Sequence, residues 1–269
     1  IIGRLVGSEM CIRDSDWGYY GISSVIIDQI NGVPFHGEEE EAPAPGQPEP
    51  EHERIFAVTD SSMLNIEGEY FLSGSINSIN YSFRETDSTL TEQHEEEEGG
   101  HVGEEEGATT FTNNSEEAQI ILDVSNGSNE QKIVLNIANS DSSVVKEKGT
   151  PSMRPADSSE STLGYYYGNN LNDFHFDLGL RFDQINVKGS LLNNNVVTNH
   201  DLDFNNLSYS FSLNRSVTDN FDATIGFSNV ERAPTSLELL MDGKHMAIQR
   251  HEIGLSLIHI SEPTRRPII

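Results

Sequence analysis

Histidines set among glutamates are the residues whose types and spacing suit chemistry here. His36 precedes Glu38 and Glu39, and His52 lies between Glu51 and Glu53. His94 opens a run that contains Glu96, and His101 is followed by Glu104 to Glu106. Imidazole nitrogen and carboxylate oxygen together form a donor set for zinc and related transition metals. On charge pattern alone the plainer reading is a solvated acidic loop with incidental histidines. Loops also preorganise ligands poorly, so such a set would capture ions loosely. Nothing points to an enzyme. The serines lack nucleophile-elbow glycines, there is no phosphate-cradling glycine loop and no His-Glu-x-x-His. No permanently bound cofactor is expected.

The segments that must position these residues read as β-strands. In Phe174 to Phe182, five large apolar residues (Phe174, Phe176, Leu178, Leu180, Phe182) alternate with His175, Asp177, Gly179 and Arg181. Successive side chains of a strand point to opposite faces, so this is one apolar and one polar face. One such strand fits a soluble half-buried sheet or the wall of an outer-membrane barrel. The pattern recurs: Leu64, Ile66, Tyr70 and Leu72; Ile79, Tyr81 and Phe83; Ile120, Leu122 and Val124; Leu207, Tyr209, Phe211 and Leu213; Phe221, Ala223, Ile225 and Phe227. Turn residues punctuate it at Ser73 to Ser75, at Asn126-Gly127 and at Asn169 to Asp173. Short turns alternate with longer polar loops near 32–53, 94–107, 148–160, 191–202 and 230–248, the layout of an outer-membrane barrel. The expected fold is all-β: an antiparallel up-and-down meander of about nine or ten strands, a partial transmembrane barrel with long acidic loops on one side.

Composition narrows the partners. The chain of 269 residues carries a net charge of −28, which excludes nucleic acid and favours cations or metal-loaded ligands. Hydrophobic residues make up 35%, low for a soluble core but compatible with a barrel, where only alternate residues must be apolar. No apolar run reaches the length of a membrane helix, and Cys11 is the single cysteine. Residues 1–15 and 255–269 lack the alternation and resemble translated sequencing-adapter read-through, in GSEMCIRDS and LIHISEPTR. Both ends are therefore expected to be non-native tails that pack poorly on a barrel spanning 16–254.

Val230 to Gly254 carries Arg-Ala-Pro-Thr (Arg232 to Thr235), Glu238-Leu239, Gly243-x-His245 and Glu252-Ile253-Gly254. This set resembles a signature in the barrel of TonB-dependent outer-membrane receptors. Asp16 to Gly37, with Trp-Gly-Tyr leading to Gly-Val-Pro-x-His-Gly, is similar to the zinc-uptake branch of that family. So is Thr91 to Asn114, although the histidine-rich run of that branch is mostly glutamate here. The resemblance implies an outer-membrane receptor fragment for uptake of a metal ion or metal complex, zinc above all. His36, Glu38, Glu39, His52, His94, Glu96 and His101 would then be first-contact metal ligands, with zinc or another divalent metal as transported ligand. It also implies outer-membrane lipid around the barrel and a TonB complex acting through a plug domain, which this stretch does not include. A receptor of the same architecture for a siderophore, or a surface β-protein that binds cations without a membrane, are the alternatives.

Overall fold

The computed structural model describes residues 2–32, 55–94, 107–193, 196–218, 221–245 and 250–255. Ten strands form one antiparallel sheet in strict sequence order: β1 (Ile2–Ser15), β2 (Gly18–Gly32), β3 (Ile55–Phe71), β4 (Ser78–His94), β5 (Thr109–Asp123), β6 (Asn129–Lys146), β7 (Met153–Leu171), β8 (Phe174–Asn193), β9 (Val196–Thr218) and β10 (Phe221–Asn229). A short helix, α1 (Ser236–Leu240), and a hairpin of β11 (Asp242–His245) and β12 (Arg250–Ile253) follow. The expected up-and-down meander is therefore present. Among the described residues β1 and β10 do not pair, so the sheet has two free edges.

Cross-strand register assembles the apolar residues into continuous rows. One row runs Tyr20, Gly68, Tyr81, Ile120, Leu135, Leu163, Phe182 and Leu207. Lower on the same face Leu178 opposes Phe211, which opposes Phe227, and Phe176 opposes Leu213, which opposes Ile225. Most of these side chains are exposed, from 37% for Tyr81 to 74% for Ile225, while Phe176, Leu178 and Leu213 are half-buried. An apolar face this broad and uncovered is a surface for lipid or a partner, not a soluble exterior. Gly68 belongs to the row because the Tyr81 ring lies over it where a Cβ would sit. The other face carries His175, Asp177, Arg181 and Ser210, as the alternation requires.

Register also reveals a change that the sheet makes along its strands. On β8 the even-numbered residues are apolar to Phe182, then become Gln184, Asn186 and Lys188. The odd-numbered residues do the reverse: Asp183 is followed by Ile185, Val187 and Leu191. On β9 the same exchange occurs between Leu207 and Asn205 on one face, and between Asn206 and Phe204 on the other. The apolar band from Phe174 to Phe182 measures roughly 26 Å along the strand, or about 20 Å along a normal tilted by 40°, close to the apolar height of an outer-membrane barrel. Beyond it the outward face turns wet and the inward face becomes apolar.

Three expectations are corrected. Residues 153–160 and 196–203 are strand, not loop: β7 begins at Met153, and β8 and β9 are joined across residues 194–195. Polar residues suit strand ends that project past the apolar band, because backbone pairing there does not depend on apolar side chains. The connections at 33–54 and 95–108 are long and lie on one side, as expected, but those joining β6 to β7 and β8 to β9 on the same side are short. Ile2–Ser15 pairs with β2 along its length instead of lying off the sheet. The edge of β2 offers a row of free N–H and C=O groups, and extended chain can pair there whatever its side chains. Of residues 255–269, only Leu255 is described.

Candidate functional site

The strand ends that flank the long connections lie at the end of the sheet where the signature segment docks. Gly32 is level with Phe56, Ile55 pairs with His94, and Glu92 pairs with Thr109. Segments 33–54 and 95–106 therefore leave neighbouring strand ends. Of the sequence-derived metal ligands, His94 is the last residue of β4. His36, Glu38, Glu39, His52, Glu96 and His101 lie outside the described residues. Among the described residues no group of three or more His, Cys, Asp or Glu side chains is placed to hold a metal.

The signature residues turn out to cover the apolar part of the inward face, a role that the sequence did not show. After Asn229 the chain leaves the sheet. Glu231 replaces the lost strand partner: its Oε2 accepts from the Leu207 N–H at 2.9 Å, and its own N–H donates to Ser208 Oγ at 3.1 Å. Pro234 and the capping residue Thr235 then start α1. Thr235 Oγ1 accepts from the Glu238 N–H at 3.2 Å, while the Glu238 carboxylate accepts from the Thr235 N–H at 2.8 Å, a reciprocal capping box. Arg232 grips the same carboxylate with two bonds of 2.7 Å. These bonds hold Glu238 down at about 2, with the Arg232 guanidinium as first cause and the Thr235 N–H as second. Ala-Pro-Thr and Glu-Leu in the signature are thus the parts of one helix start.

That helix sits on the wall. Leu239 and Leu240 are each 1% exposed and pack with Met241 against Val144, Met153, Ala156, Ile185 and Val187. This is the hydrophobic core of the described residues, and it lies under α1, not between two sheets. Full burial of a leucine stabilises by about 1.5–3 kcal/mol, so this pair is a substantial part of what offsets the ordering of the segment. Polar contacts flank it: Ser142 Oγ and Ser236 Oγ are 2.7 Å apart, and the Asp242 N–H donates to the Ser152 carbonyl at 2.7 Å. Two glycines permit the approach. A Cβ on Gly189 would overlap Leu240, and one on Gly243 would overlap Ser152. The β11–β12 hairpin is tied to the helix by Leu255 N–H donating to the Glu238 carbonyl at 2.7 Å.

Towards the short-turn end the inward face is a hydrogen-bonded polar surface. Asp177 accepts from Tyr166 Oη and Ser212 Oγ, both at 2.6 Å, and lies 3.0 Å from His175 Nε2. Asp183, only 2% exposed, accepts from Thr162 Oγ1 and Arg181 Nε at 2.8 Å. These carboxylates have their partners within the wall, as buried polar groups must. They hold the wall's inward face together and show no arrangement of nucleophile and base.

The architecture is a sheet with an apolar band on one face and, on the other, a polar surface that gives way to an apolar patch covered by a docked helix. A comparison with curated proteins found no match. A family model described as TonB dependent receptor-like, beta-barrel matches residues 20–259. That span takes in the whole sheet from β2 onward and the docked segment after it, and the chain belongs to the TonB-dependent receptor β-barrel family.

Proposed function

We propose that this chain is the barrel wall of an outer-membrane receptor that captures a divalent metal ion or metal complex, zinc first, at the mouth bounded by the long acidic connections. The observation that carries the reading is the pairing of Ile55 with His94, beside Gly32 level with Phe56. The strands that carry segments 33–54 and 95–106 end side by side, which supports a shared role for His36, Glu38, Glu39, His52, His94, Glu96 and His101. Carboxylates concentrate divalent cations there, and imidazoles favour zinc over calcium or magnesium, which prefer oxygen. The apolar outward band takes lipid. Energy would come from TonB through a plug domain, as is general in this family.

Zinc titration and uptake by the full-length receptor test the reading, against a variant with alanine at His36, His52, His94 and His101. Affinity and uptake should both fall in the variant. Zinc binding in the parent should also weaken as pH drops through about 6.5, where unperturbed imidazole takes up a proton. Equal zinc affinity in parent and variant removes the metal-capture role and leaves the acidic segments as solvated charge on a receptor for another ligand.

A further inference from the structure

We propose that the segment from Glu231 to Gly243 is a permanent strap on the inward face of the wall, not a lid that lifts when ligand passes. It rests on the assignment of this chain to a receptor wall and does not depend on the ligand being zinc.

Three independent features hold the strap along its length. Its start is fixed to the sheet edge by Glu231, which takes the place of the strand partner that Leu207 loses. Its middle is seated by Leu239 and Leu240, whose side chains are buried on strands β6 to β8. Its end is pinned by the Asp242 N–H on the Ser152 carbonyl, with Gly243 packed so closely on Ser152 that no side chain fits between them. A lid needs a seat that it can leave, with an inward face able to meet water once uncovered. This seat is apolar: Ile185 and Val187 stand where the lower part of the same face carries Asp177 and Arg181. Lifting the strap would expose both apolar surfaces together. The strap also sets where the β11–β12 hairpin stands, through the bond from Leu255 to Glu238.

The test is made on the full-length receptor in outer membranes. Ser142→Cys and Ser236→Cys are combined in a Cys11→Ser background, since the two hydroxyls already face each other at 2.7 Å. A fixed strap forms the disulfide nearly completely without ligand, and the oxidised receptor takes up zinc ion as well as the reduced one. Loss of uptake on oxidation, restored by reductant, overturns the proposal, as does failure of the disulfide to form. Hydrogen exchange gives a readout free of any ligand. The Leu239, Met241 and Asp242 amides, bonded to Thr235, Leu237 and Ser152, should exchange as slowly as amides of β8. Exchange at the rate of an unprotected loop overturns the strap even where the disulfide forms. If zinc enters in neither redox state, the zinc reading fails, and the strap is decided by exchange.

Discussion

Ser142 on β6 and Ser236 on α1 share a hydrogen bond of 2.7 Å although 94 residues separate them in the chain. Every strand of the sheet pairs with its neighbours in sequence. This contact instead joins the segment after the tenth strand to the sixth. It marks the place where a wall made of local pairings acquires a lining made of a distant one. The lining is needed because the inward face becomes apolar above Asp183, and an apolar inward face beside a wet mouth must be covered.

Gly189→Val should unseat the lining. A Cβ there would overlap Leu240 and come within 3.1 Å of Ala156 Cβ, before the two methyl groups of valine are added. Overpacking of this kind costs about 1–3 kcal/mol. Limited proteolysis should cut between residues 231 and 245 faster in the variant, while the sheet keeps its folded mobility on gels. An unchanged cleavage rate would show that Leu240 has room to move aside.

Leu240→Ala tests the same seat from the other side. Truncating a fully buried leucine destabilises by about 2–5 kcal/mol, here locally, at the strap. Leu237→Ala is the control: Leu237 is 45% exposed on the same short helix and should be tolerated. Equal protease sensitivity of the two variants would mean that the burial of Leu240 does not anchor the strap.

The exchange of faces on β8 predicts a membrane boundary between Phe182 and Asn186. In a Cys11→Ser background, single cysteines at these two positions share one outward face. An environment-sensitive fluorophore at position 182 should emit as in hydrocarbon and be quenched by lipid-borne quenchers. At position 186 it should emit as in water and be quenched by soluble ones. The same environment at both sites would contradict the boundary.

Sidedness predicts unequal tolerance of charge. Phe227 and Ser228 are consecutive, both exposed, and face opposite ways, Phe227 opposite Phe211 and Ser228 opposite Ser210. A charge on the lipid face near mid-membrane costs about 2–4 kcal/mol, and one on the inward face far less. Phe227→Arg should lower the amount of receptor assembled in outer membranes, and Ser228→Arg should leave it near the parent level. Equal assembly of the two would argue against lipid on this face.

Acid should loosen the strap through Glu238. Its carboxyl titrates at about 2 when folded, below the usual value of about 4.3 for an unfolded glutamate. A depressed folded value means the contribution is fully present above the unfolded value and is lost as pH falls towards 2. Pepsin cleavage of the strap at pH values between 5 and 2 should therefore be slower in the parent than in Glu238→Gln at the upper end, with the two rates converging at the lower end. A gap that stays constant with pH would mean that the Arg232–Glu238 contact contributes nothing to the seat.

Strand identity, neighbour pairing and the split between an apolar and a polar face were legible from alternation alone. Phe174 to Phe182 and Leu207 to Leu213 stand on the faces that their parity assigns. Period-two patterning is a local property, and a meander needs only local pairings, so one follows from the other. The signature segment was also recognisable, though not for what it does: Arg232, Thr235 and Glu238 show a helix start in their spacing, but nothing in the sequence says which surface Leu239 and Leu240 cover. Only the tertiary structure supplied that surface. The turn expected within Ser125 to Gln131 is there; the structure adds that Asn126 and Asn129 bond to each other and that Gly127 takes the positive φ of 61°. The strands running through 153–160 and 196–203 have the composition of loops for a physical reason. Beyond the apolar band both composition and face assignment change, and polar strand differs from polar loop only in its backbone partners, which a single sequence does not display.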